Sequence, residues 1–176
     1  MILLLVGCDA FGGAAVGVDL LAYAGLDDDA TWTWRDDGDT GIPDAEQLIH
    51  GQNDGKGNVE LRRGVQWGAA EPVGALEFDV SDGLALASWS WDDDGSDSLV
   101  PFGKKGMVEG DITYDGDWRC VLRLPDGIDT FYAHYADVAE FECSGGSLPG
   151  TFDFAKDVGL VLMRTKVVDL SLVAPY

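Results

Sequence analysis

The sequence predicts a mainly β fold, an antiparallel sandwich, half-barrel or curved sheet of about nine or ten strands. Three observations lead there. Short runs alternate polar and apolar residues with the period of two that a half-buried strand requires, as in Ala30-Thr31-Trp32-Thr33-Trp34. Asp- and Gly-rich clusters such as Asp115-Gly116-Asp117 and Pro125-Asp126-Gly127 punctuate these runs, and both residue types tolerate the backbone of tight hairpin turns. The composition agrees: 24 glycines and six tryptophans favour turns and bulky sheet-packing side chains over long helices, and a 46% hydrophobic content marks a globular chain.

Taken in order, Trp32 and Trp34 share one face of the first strand. A loop rich in Asp and Gly follows, and Asp44–His50 reads as a short helix or an irregular crossing. Val59–Trp67 alternates again, with Val59, Leu61, Val65 and Trp67 on one side and Arg63 interrupting. Leu76, Phe78 and Val80 form another inward set, and Leu84–Trp91 is a strand after the Ser81-Asp82-Gly83 turn. Val108–Tyr114, Trp118–Leu124, Thr130–Glu142, Thr151–Phe154, Gly159–Arg164 and Val167–Val173 complete the pattern. No internal repeat and no second domain is visible, so 30–176 is expected to form a single β domain.

The N-terminus reads Met-Ile-Leu-Leu-Leu-Val-Gly-Cys. Leu5-Val6-Gly7-Cys8 resembles the lipobox of bacterial lipoproteins, in which a signal peptidase cuts before the cysteine and its sulfur carries diacylglycerol. The residue types suit that chemistry: a small residue before the cut, an apolar run to hold the segment in the membrane, and a thiol as acyl acceptor. Several acyl chains, at ~0.8 kcal/mol per buried methylene, anchor a protein firmly. On this reading 1–8 is a lipoprotein signal, truncated at its start, that ends at lipidated Cys8, and 9–29 is a tether. The other reading of the same residues is a short apolar strand ending in a buried cysteine. No uncharged run in 10–26 is long enough to span a bilayer, because Asp19 interrupts it.

Setting Cys8 aside leaves an even pair, Cys120 and Cys143, each in an expected strand. A bridge between neighbouring strands would close a loop of roughly 20 residues and contribute about 3 kcal/mol. The alternative is two free core cysteines. No CxxC and no paired histidines suggest a zinc site.

Two segments carry a family resemblance. Asp29-Ala30-Thr31-Trp32-Thr33-Trp34 resembles the opening strand of many uncharacterised bacterial envelope lipoproteins, and Phe154-Ala155-Lys156-Asp157-Val158-Gly159-Leu160-Val161 is similar to a turn between closing strands near their C-termini. Lys156, Asp157 and Leu162 depart from that pattern, where the family tends to have Pro, Gly and Lys. The resemblance implies a β-rich lipoprotein and no particular activity. It places the chain in the bacterial cell envelope, lipid-anchored on the exported side of the cytoplasmic membrane or in the outer membrane.

Thirty-two acidic residues against 11 basic ones give a net charge of −21, which repels nucleic acid and anionic headgroups. No nucleic-acid partner is expected; a protein or glycan partner is left unspecified. Nucleophilic hydrolysis lacks its elements, for there is no Gly-x-Ser-x-Gly, and His134 reads as a strand residue and His50 as the end of an irregular segment. Among this many acids a carboxylate pair for glycoside hydrolysis carries no specificity. Calcium is the better candidate cofactor: Asp92-Asp93-Asp94-Gly95-Ser96-Asp97 sets the oxygens of Asp92, Asp94 and Asp97 around a glycine, though without the closing Glu of an EF-hand. Asp36-Asp37-Gly38-Asp39 is a poorer version of the same pattern. The pairs Trp32/Trp34 and Trp89/Trp91 suit core packing better than sugar stacking. The expected function is thus a non-catalytic binding or envelope-structural role. The alternatives are a secreted carboxylate-dependent hydrolase and a calcium-dependent carbohydrate-binding module.

Overall fold

Fifteen strands and one short helix are present in the computed structural model, which describes residues 17–27, 30–36, 48–130 and 132–175. Cys8, the leader and the first half of the expected tether lie outside the described residues, as do Asp37 to Asp39 and 44–47. The chain opens with α1 (Leu21–Ala24), then β1 (Thr31–Asp36), β2 (Leu48–Asn53) and β3 (Asn58–Arg63). A 3-10 turn at Trp67–Ala69 leads to β4 (Glu71–Asp79), β5 (Gly83–Trp91), β6 (Asp94–Ser96) and β7 (Val100–Lys104). The second half runs through β8 (Ile112–Asp115), β9 (Trp118–Arg123), β10 (Ile128–Asp129), β11 (His134–Tyr135) and β12 (Val138–Ser144). It ends with β13 (Gly150–Ala155), β14 (Gly159–Thr165) and β15 (Asp169–Pro175).

Thirteen strands form one antiparallel sheet in the order β6-β5-β4-β3-β2-β1-β15-β14-β13-β12-β9-β8, with β7 also on β5, while β10 and β11 make a separate hairpin. Of the architectures the sequence allows, this is the open, curved sheet, not closed into a barrel. Its curvature follows from which side chains meet. Phe102 of β7 lies 4.6 Å from Phe152 and 5.6 Å from Phe141 (ring centroids), and Phe78 of β4 lies 6.2 Å from Phe154, although these strands are far apart in the ladder. Trp118 of β9 donates its indole N–H to the Pro101 carbonyl of β7 at 2.8 Å. The two ends of the sheet therefore curl towards each other over one concave core. Bulges in β1, β4, β5 and β13 among others supply the bend, since an extra residue on one strand increases local twist.

The tryptophans of β1 show why that strand sits centrally. β14 pairs with β15 only through Leu162–Arg164, so its earlier residues, still paired with β13, splay away from β15. Trp32 and Trp34 fill the splay, their rings stacked at 5.7 Å, and donate to the Val158 carbonyl at 2.8 Å and the Leu160 carbonyl at 2.9 Å. Carbonyls that would lack a ladder partner are thereby satisfied. Gly51 makes room: a Cβ there would come within 2.4 Å of the Trp34 ring.

Four sequence expectations change. The described part of the tether, 17–27, is not a free linker. Leu20, Tyr23 and Ala24 are buried in the core cluster, and Val18 and Ala22 bond to Met107 and Asp157, so this segment covers one mouth of the sheet. The expected strand Thr130–Glu142 is broken, because the Thr130 hydroxyl accepts from the backbone N–H of Tyr132 and Ala133 and folds a turn. The helix or crossing expected to end at His50 gives way, in its described part, to β2, which extends past it to Asn53. Finally, β3 stops at Arg63, because Gly64 adopts φ 148° and the alternation that carried Trp67 inward is lost.

Candidate functional site

The concave face is filled by aromatic and aliphatic side chains, so room for a ligand lies on the convex face and at the ends of the sheet. On the convex face a groove of about 530 Å³ crosses β1 and β2. Thr31, Thr33, Leu48, His50 and Gln52 form its floor, and Val65, Gln66 and Trp67 form a wall. Alternation fixes the floor: with Trp32 and Trp34 turned into the core, the odd-numbered β1 residues face out. His50 pins the wall. Its Nε2 lies 2.9 Å from the Gly64 carbonyl and its Nδ1 3.0 Å from the Thr33 hydroxyl. A carbonyl only accepts, so Nε2 carries the proton and Nδ1 accepts from Thr33. His50 therefore ties β1 to the turn after β3. Trp67 is held as well: the Arg62 guanidinium lies 5.1 Å from its ring, and Arg62 is itself paired with Glu60 at 2.8 Å.

A second cluster gathers at the sheet end farthest from α1. Arg63 sits 5.5 Å from the Trp91 ring, with Nη2 3.3 Å from Asp92 and 3.9 Å from Asp36. Grooves of about 440 and 570 Å³ flank it, lined by Thr165 to Asp169 on one side and by Ala69 and Glu71 to Val73 on the other. The calcium candidates fall here. Trp91 pairs with Asp94, which makes Asp92 and Asp93 a two-residue hairpin turn, with Asp92 at φ 48°. The Asp92 carboxylate faces Arg63, and among the described residues no group of three or more His, Cys, Asp or Glu is placed to hold a metal ion. Asp92, Asp94 and Asp97 are neighbours along the hairpin without converging on one point.

One carboxylate pair is strongly perturbed. Glu140 and Asp153 oppose each other on β12 and β13. Asp153 is fully buried, and neither of its oxygens has a hydrogen-bond donor while it is ionised. Burial, reinforced by the Glu140 charge and eased by Arg164, pushes its carboxyl up to about 7. Glu140 also titrates above the usual carboxylate range, through burial and the Glu142 charge, with Arg123 and Arg164 opposing. With the proton on Asp153, its O–H donates to Glu140. The pair lines none of the three grooves.

The remaining candidates separate cleanly. Cys120 and Cys143 are directly opposed on β9 and β12 and form a disulfide. His134 is exposed on the β11 hairpin, with Nδ1 2.8 Å from Asp129. Tyr23 donates to Asp137, and burial with that bond pushes its hydroxyl up to about 12. Trp32, Trp34, Trp89 and Trp91 are all buried, which leaves no ring of either pair as a sugar platform. Trp67, assigned inward from its spacing, is the groove residue that sequence reasoning misplaced. The glycine at 64 was the signal that the alternation ends before it. No protein family, no curated protein and no solved structure matches this chain.

Proposed function

We propose that this protein is an exported, lipid-anchored β domain of the bacterial envelope, attached through Cys8, whose role is binding or structural rather than catalytic. The observation that carries the reading is the Cys120–Cys143 disulfide. Such bonds persist where the medium is oxidising and are rare in a reducing cytosol. Export is also supported by Leu5-Val6-Gly7-Cys8 and by the way the two lipoprotein-like segments meet, Trp32 on Val158 and Trp34 on Leu160. A non-catalytic role is supported by the engagement of the chemistry-bearing groups: His50 bridging Thr33 and Gly64, Asp92 with Arg63, and Asp153 buried outside the three grooves described.

Thiol trapping in fractionated cells tests this. The expected result is protein in the membrane fraction, released by detergent, whose Cys120 and Cys143 react with maleimide only after reduction. Soluble protein with both thiols reactive in fresh lysate would contradict it.

A further inference from the structure

We propose that the convex-face groove over β1 and β2 binds an uncharged oligosaccharide. This goes beyond the reading above and stands whether or not Cys8 carries lipid. Charge favours such a ligand. In a chain of net charge −21, none of the eleven residues lining this groove is Asp, Glu, Lys or Arg. The charges that border it, Arg62 and Glu60, are already paired with each other at 2.8 Å, and burying a charged ligand would cost its solvation.

The groove's aromatic favours it too. Trp32, Trp34, Trp89, Trp91 and Trp118 are between 1% and 6% exposed, whereas Trp67 is half-buried at the groove wall. An indole held in place by Arg62 loses little freedom on binding, and its face suits the apolar C–H face of a pyranose ring. Gln52 and Gln66 bring side-chain amides, which both donate and accept and so match sugar hydroxyls. A groove of about 530 Å³ with a few polar groups on an apolar lining is within the usual range for small-ligand sites. An acyl chain would want the amides absent. An added peptide strand would want a free edge, yet β1 and β2 are each paired on both sides.

The burial pattern supplies its own probe, since acrylamide should quench chiefly Trp67. The full chain is titrated with maltohexaose, cellohexaose or chitohexaose at millimolar concentration while quenching is followed. At least one should protect the quenchable fluorescence. Trp67→Ala should abolish that component and weaken calorimetric binding of the same sugar at least about tenfold. Gln66→Ala, on an exposed turn, should weaken it about threefold with the fold intact. The proposal is overturned if none of the three sugars protects Trp67. It is equally overturned if oligogalacturonate or laurate protects it in their place, or if Trp67→Ala binds the sugar as the wild type does.

Discussion

Trp34 and Trp67 are the same residue type used in opposite ways. Trp34 is 1% exposed at the centre of the concave face, stacked on Trp32 and bonded to a carbonyl of a splayed strand. Trp67 stands on the convex side after the chain has left its strand, braced by one guanidinium. The first is spent on the fold and the second is available for a ligand. The two faces differ in the same sense: one is a continuous apolar cluster, and the other carries the neutral groove and the Glu140–Asp153 pair.

Paired substitutions at these tryptophans, at the disulfide and at Asp153 can break that contrast. Trp34→Ala should lose at least about 4 kcal/mol in urea unfolding, from the cavity and the Leu160 carbonyl left without a donor. Replacing Cys120 and Cys143 together by Ala should cost about 3 kcal/mol, because the bridge closes a loop across 23 residues.

Asp153→Asn sharpens the contrast through pH. The folded-state pKa of Asp153 is raised, so the native state holds a proton that the unfolded chain releases, and stability falls as pH rises from about 4 towards 7. The Asn variant should lose most of that fall, gaining on the order of 2 kcal/mol on wild type between pH 5 and pH 8. Parallel stability–pH curves for the two proteins would refute it. Trp67→Ala should do least to the fold, under about 1 kcal/mol, which a melting curve would show.

The fold was legible where local rules acted alone. Thr31–Trp34 alternates because Trp32 and Trp34 pack into the core, and Asp115-Gly116-Asp117 forms the β8–β9 hairpin turn it resembles. β7 was missed because Pro101 and Gly103 spoil a strand pattern. Yet Gly103 is required by packing, since a Cβ there would meet Leu20 at 2.8 Å and Phe141 at 3.0 Å. The paired cysteines were readable from parity and strand position, although free thiols remained open until β9 and β12 proved adjacent. Neither the groove nor Asp153 could be read. The groove joins residues from β1, β2 and the turn after β3, and burial of one carboxylate among 32 acidic residues leaves no trace in sequence.

Mass spectrometry of the native protein extracted from membranes tests the central claim most directly. The account predicts a mature N-terminal peptide that begins at Cys8 and carries a diacylglyceryl thioether. An unmodified peptide reading continuously through Val6-Gly7-Cys8-Asp9 would contradict it, and with it the lipid-anchored envelope domain.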